Sequence, residues 1–73
     1  MPELKVESEI TGTVWKIETG LGEKVEEDDV IMILESMKME IPVLAPEAGK
    51  IKEFHVDEGV SVSEGQLVVT LET

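Results

Sequence analysis

The chain is predicted to be all-β, eight short strands in two sets of four, because the sequence repeats itself once and its apolar runs are too short for helices. Sliding the sequence by 37 residues pairs Gly12 with Gly49, Gly22 with Gly59, Val25 with Val62, Glu27 with Glu64, Leu34 with Leu71 and Glu35 with Glu72. Conservative pairs keep the same register: Leu4 with Ile41, Val6 with Val43, Val14 with Ile51, Ile17 with Phe54, Val30 with Leu67, Met32 with Val69. Residues 1–36 and 38–73 therefore read as two copies of one unit within a single domain, 1–73. Each copy is too small to bury its own apolar face and is expected to pack on its twin. Val, Ile and Leu come in runs of three to seven residues broken by Gly, Pro or acidic clusters, which suits strands better than helices of ten residues or more.

Strands are expected at 3–8, 12–18, 24–26, 30–36, 39–45, 49–55, 61–63 and 67–72. In the second pair, Val14 and Ile17, like Ile51 and Phe54, lie three residues apart, which a flat strand would place on opposite faces. A bend or bulge is expected in both, with Trp15, the partner of Lys52 in the repeat, partly exposed. In the last strand Leu67, Val69 and Leu71 alternate with Val68, Thr70 and Glu72. Transferred to the apolar run 30–34, that alternation points Val30, Met32 and Leu34 inward and Ile31 and Ile33 outward. Turns fall at 19–23 and 57–59, and at 27–29 and 64–66, where Gly65 and its counterpart Asp28 both tolerate positive φ. Pro42 cannot donate to a ladder, so its strand is expected to leave it unpaired or at an edge.

Composition narrows function. A chain of 73 residues with one Trp, one Phe and no Tyr has little material for a substrate-burying pocket, so catalysis by the chain itself is not expected. Without cysteine there is no disulfide, thiolate metal site or thiol nucleophile, and a reducing, cytoplasmic setting fits. The N-terminus has no basic start followed by an apolar run, and no stretch is long enough to span a membrane. The formal charge of −11, seventeen acids against six lysines, repels phosphate backbones and anionic bilayers; neither nucleic acid nor membrane is an expected partner.

Between the copies lies Glu35-Ser36-Met37-Lys38-Met39-Glu40. One strand enters this segment and another leaves it, with room only for a two-residue loop at Met37 and Lys38. A lysine there projects into solvent from a rigid base, where its amine can attack an activated carboxylate and tether a cofactor through an amide. Most lysines are simply solvated charges. Met37 and Met39 raise the stakes, because an exposed apolar pair marks a contact surface and the thioether adapts to several partners.

The segment, with Met-Lys-Met at its centre, flanking glutamates, Gly12-Thr13-Val14-Trp15-Lys16-Ile17 before it and Pro46-Glu47-Ala48-Gly49-Lys50-Ile51 after it, resembles the biotinyl domains of biotin-dependent carboxylases and decarboxylases. The likeness covers the whole chain. It implies a flattened β-barrel (a barrel-sandwich hybrid) of two four-stranded antiparallel sheets related by a pseudo-twofold repeat. It also implies biotin joined to Lys38 by a biotin protein ligase, Met37 and Met39 as recognition neighbours, and Glu35, Ser36 and Glu40 as hairpin context. The resemblance further implies a monomeric carrier that moves a carboxyl group from a biotin carboxylase to a carboxyltransferase. The family usually has Ala where Ser36 stands. It commonly has Ala-Pro ahead of the first glycine, where this chain has Ser8-Glu9-Ile10. No Ala/Pro-rich arm precedes the domain, so a stand-alone carrier that finds its enzymes by diffusion is expected.

Four rivals remain at this level, one of them a purely structural barrel, which would explain the fold but not the Met-Lys-Met turn. Lipoyl domains resemble the same fold but typically carry Asp before the lysine and Ala after it, so lipoate on Lys38 is the alternative cofactor. Glu35-Ser36-Met37 mimics the attachment triplet of acidic acyl carrier proteins, which resemble helical bundles instead. A catalytic subunit would need chemistry at the lone histidine, His55, for which the sequence offers neither a second metal ligand nor a nucleophile; a surface position is expected.

Overall fold

Residues 2–73 are described by a computed structural model. The eight strands are β1 (Glu3–Glu7), β2 (Gly12–Ile17), β3 (Lys24–Val25), β4 (Val30–Ser36), β5 (Met39–Leu44), β6 (Gly49–Phe54), β7 (Ser61–Val62) and β8 (Leu67–Glu72). They form two four-stranded antiparallel sheets, ordered β1-β8-β6-β3 and β5-β4-β2-β7. Replacing each strand by its counterpart in the repeat turns one order into the other, so the repeat that relates the halves also exchanges the sheets. Each half gives two strands to each sheet, which is why neither half could close a core alone.

The repeat extends to single hydrogen bonds. Ser8 N–H donates to the Gln66 carbonyl and Ala45 N–H to that of Asp29, both at 2.8 Å. Gly22 N–H donates to Ile51 at 2.8 Å and Gly59 N–H to Val14 at 2.7 Å; Glu18 N–H donates to Ile31 at 3.0 Å and His55 N–H to Val68 at 2.9 Å. Asp28 and Gly65 both take positive φ, 71° and 85°, as expected from the turn chemistry. A methyl group on Gly12 would stand 2.6 Å from the Glu35 carbonyl oxygen, and one on Gly49 would stand 3.0 Å from that of Glu72. These glycines let β2 and β6 begin directly against Glu35 of β4 and Glu72 of β8. Pro42 lies on β5, an edge strand.

Two bulges recur in each half. One falls at Trp15 and Lys52, where the register of β2 on β4 and of β6 on β8 shifts. It turns Val14 and Ile17, and Ile51 and Phe54, to the same side, as their spacing predicts, and leaves Trp15 48% exposed. The other falls at Ile31 and Val68, and it corrects the expected alternation. Ile31 and Val68 are fully buried beside Met32 and Val69, whereas Val30 faces outward at 38% exposure and Leu67 is only half-buried. The extra residue on each strand resets the inward phase, so the strand ends on the opposite face from a flat ribbon. Ile33 is half-buried at its expected outward position, and Thr70 is buried at its own by contact with His55.

The core is a single cluster from both sheets, including Val14, Ile31, Met32, Leu34, Ile51, Val62, Val68, Val69 and Leu71, with Leu4, Ile10, Ile17 and Phe54 packed at its margin. Six strands stop one residue short of their expected end; the residues that follow two of them, Ser8 and Ala45, donate instead to Gln66 and Asp29 in the turns of the other half. No helix among the described residues is long and apolar enough to cross a membrane.

Candidate functional site: the Met37–Lys38 turn

β4 and β5 are paired from Val30–Leu44 up to Ser36–Met39, and the chain reverses in the two residues between. Met37 and Lys38 both take positive φ, 53° and 66°. Positive φ at both central positions is the type I′ geometry, whose twist matches that of the flanking strands. Neither residue is glycine or asparagine, so the turn holds two ordinary side chains in a region that costs each roughly 1–2 kcal/mol. The base that sustains them is rigid: β4 lies between β5 and β2, and Met32 and Leu34 anchor it in the core.

Lys38 is exposed, Met37 is 92% exposed and Met39 64%. Both methionines are exposed, as the sequence predicts, and neither folds back over the core. Ser36 is half-buried where the chain leaves β4, close to Gly12, and it sits in a strand, not in a helical bundle as the acyl-carrier alternative requires. Glu35 and Glu40 are both exposed and stand directly opposite each other across the ladder. In the sequence they stand out only as neighbours of Lys38; their opposition follows from a loop centred between 37 and 38. His55 is at the surface with its Nε2 2.7 Å from Thr70 Oγ1.

A groove of about 450 Å³ opens between the edge strands β1 and β5, bordered by Val6, Ser8, Leu34, Ile41 and Val43; its border stops short of the turn. The site is therefore a projection and not a cleft. It offers one primary amine, an apolar side chain on either side, and nothing that encloses a substrate.

The family model for biotin-requiring enzymes, the biotin/lipoyl attachment family, matches residues 2–71. The biotin/lipoyl attachment protein of Bacillus subtilis is 38% identical over 68 residues, 93% of each chain. A biotinylated protein homologue of Mycobacterium leprae is 38% identical over 66 residues, 90% of this chain and 93% of that one. Pyruvate carboxylase of Bacillus subtilis is 40% identical over 67 residues, 92% of this chain but 6% of the carboxylase. Among solved structures, Kluyveromyces lactis urea carboxylase superposes with a TM-score of 0.92 at 34% identity, over 97% of this chain and 6% of the enzyme. The chain thus spans nearly all of its small relatives and a few per cent of the large ones. With its two exchanged sheets and its family model matched almost end to end, the chain belongs to the biotin/lipoyl attachment family.

Proposed function

We propose that Lys38 is the residue through which this chain carries covalent biotin, and that the domain, residues 1–73, shuttles a carboxyl group between a biotin carboxylase and a carboxyltransferase. The observation that carries the reading is the exposed amine at the centre of a rigid two-residue turn, flanked by two exposed methionines. An attachment residue has to enter the active sites of other proteins, and only a projecting turn can do so without unfolding. Biotin is favoured over lipoate because relatives covering the chain are named for biotin, as the M. leprae protein is, or are carboxylases. Apolar residues flank Lys38 on both sides, where lipoyl domains typically have Asp and Ala.

The chain's own contribution is presentation. A biotin protein ligase supplies the activated carboxylate; the neutral Lys38 amine attacks its carbonyl, the activating group leaves, and the nitrogen gives up one proton and keeps the other as the amide N–H. Bound biotin then supplies the ureido nitrogen that accepts and releases the carboxyl group. β4 and β5 hold the attachment point, Met37 and Met39 give the ligase an apolar surface to read, and the acidic body keeps the carrier soluble. The same reading makes the chain a monomeric, cytoplasmic, non-catalytic component.

Intact-mass measurement of protein from its native cells tests this. One biotinyl group is expected on the wild type and none on Lys38→Arg, since arginine keeps the charge but offers no nucleophilic amine. Retention of the added mass in that variant would reject Lys38 as the site.

A further inference from the structure

Outside the core the repeat breaks, and it breaks in one direction. Register places Pro42, Ile33 and the Trp15–Lys16 bulge in one row across the outer face of β5, β4 and β2, with Leu44 and Val30 in the next row. Trp15, Leu44 and Val30 are 48%, 42% and 38% exposed, and Pro42 is exposed as well. The counterparts on the other sheet, at the same register, are Lys5, Thr70 and the Lys52–Glu53 bulge, then Glu7 and Leu67. There Lys52 pairs with Glu3, and His55 covers Thr70. The outer face of the β1-β8-β6-β3 sheet is closed by its own polar contacts; the outer face of the Lys38 sheet is apolar and open.

The charges break the same way. Glu3 and Glu72 oppose each other across β1 and β8, and Lys52 and Lys50 offset them, the first by its ion pair and the second by standing opposite Glu72. Their repeat images, Glu40 and Glu35, also oppose each other, but Trp15 and Thr13 occupy the lysine positions. Like charges set opposite across a ladder repel. Among the described residues neither Glu35 nor Glu40 has an ion-pair partner; the cation on this face, Lys16, pairs with Glu18 at 3.4 Å.

We infer that this outer face, centred on Trp15, Ile33 and Pro42, is the surface by which the domain docks on the biotin carboxylase, through an apolar protrusion seated on that row and a lysine or arginine set between Glu35 and Glu40. The inference rests on the carrier reading of Lys38. Charge complementarity selects the occupant: a second copy of this chain would bring the same unpaired glutamates and a net charge of −11 to the contact. Position sets the ligase apart from the enzymes of carboxyl transfer. Pro42 lies three residues beyond Met39, roughly 10 Å from the turn at a rise of about 3.3 Å per residue. A partner gripping that row holds the body and leaves the tip free. This suits an enzyme working at the far end of the arm on Lys38, whereas a ligase has to grip the amine itself.

The repeat supplies its own test variants. Trp15→Lys with Ile33→Thr installs the residues that the other half already accommodates at those positions, and Pro42→Lys does the same singly at an exposed edge. Initial rates of the purified biotin carboxylase with ATP and bicarbonate are measured against concentration of biotinylated carrier, after a thermal melt and intact mass have established folding and full biotinylation. We expect KM for the carrier to rise about tenfold or more in the double variant, with kcat unchanged, since truncating the few central residues of an interface removes most of its affinity. KM should also rise with salt for the wild type. Unchanged KM in both the double variant and Pro42→Lys overturns the inference. So does a wild-type dimer in sedimentation that Trp15→Lys dissociates, because the patch is then covered by a second copy. Biotin persisting on Lys38→Arg would instead defeat the carrier reading itself.

Discussion

Leu34 and Leu71 stand 37 residues apart and are equally buried, at 1% and 0% exposure; Trp15 and Lys52 stand at the same separation and share a bulge, yet one is an aromatic ring and the other an ion-paired cation. The first pair lies between the sheets, the second on their outer faces. Between the sheets a side chain must fill a fixed volume, and both halves meet the same constraint because each packs on the other. On the outer faces only solvent constrains the choice, so those positions are free to carry partner recognition. The sharpest way to break this comparison is in the core. Leu34→Ala and Leu71→Ala should each lose about 2–5 kcal/mol, comparable to the whole stability of a small domain, and to similar extents. Urea unfolding followed by Trp15 fluorescence measures both. One variant folded and the other unfolded would show that the halves are not energetically equivalent.

Much of this architecture was legible in the sequence because repetition converts weak local signals into paired ones. The bulge at Trp15 and Lys52 announced itself as two apolar pairs three residues apart. The bulge at Ile31 and Val68 did not, because Val30 to Leu34 is apolar throughout and conceals the phase change. The adjacent valines Val68 and Val69, in a strand otherwise read as alternating, held the missing signal. The turn at Met37 and Lys38 followed from strand spacing alone. Its positive φ values did not, since methionine and lysine carry no preference for that region; the flanking pairing and twist impose it. The apolar outer row was invisible for a different reason. Trp15, Ile33 and Pro42 come from three strands, and only register brings them together.

A second comparison sets the Met37–Lys38 turn against Asp28 and Gly65, where the chain meets the same backbone demand with residues suited to it. Met37→Gly should stabilise the domain. Relief of the left-handed conformation is worth roughly 1–2 kcal/mol, and the greater entropy glycine loses on folding takes back about 0.5–1 kcal/mol. The net gain is on the order of 0.5–1 kcal/mol, a few degrees in Tm for a chain of this length. If Met37 is the apolar handle, biotinylation by purified ligase should slow in the same variant. A lower Tm would mean that the turn is not strained at Met37, and an unchanged rate would place ligase contact elsewhere.

The smallest effect concerns the ion pair that distinguishes the outer faces. Hydrogen bonding and charge attraction from Lys52 hold the Glu3 carboxyl below its ordinary range, and the same contact with Glu3 raises the Lys52 amine above its own. A carboxyl with a depressed folded-state pKa contributes stability that is present above its unfolded pKa and is lost as pH falls through the lowered value. A raised lysine contributes stability that is present below its unfolded pKa and is lost as pH rises through the raised one. The pair therefore acts across the window between the carboxylate and lysine titrations and vanishes at either end. Both groups are solvent-exposed, so screening keeps the contribution small. Lys52→Met should lower Tm slightly at neutral pH and low salt, and the difference from wild type should shrink both in acid below the Glu3 titration and in high salt. Melting curves of the two proteins across pH and ionic strength measure that difference. A gap that persists in strong acid and high salt would assign the role of Lys52 to packing of its aliphatic stem over β8, and the contrast with Trp15 would then be one of shape and not of charge.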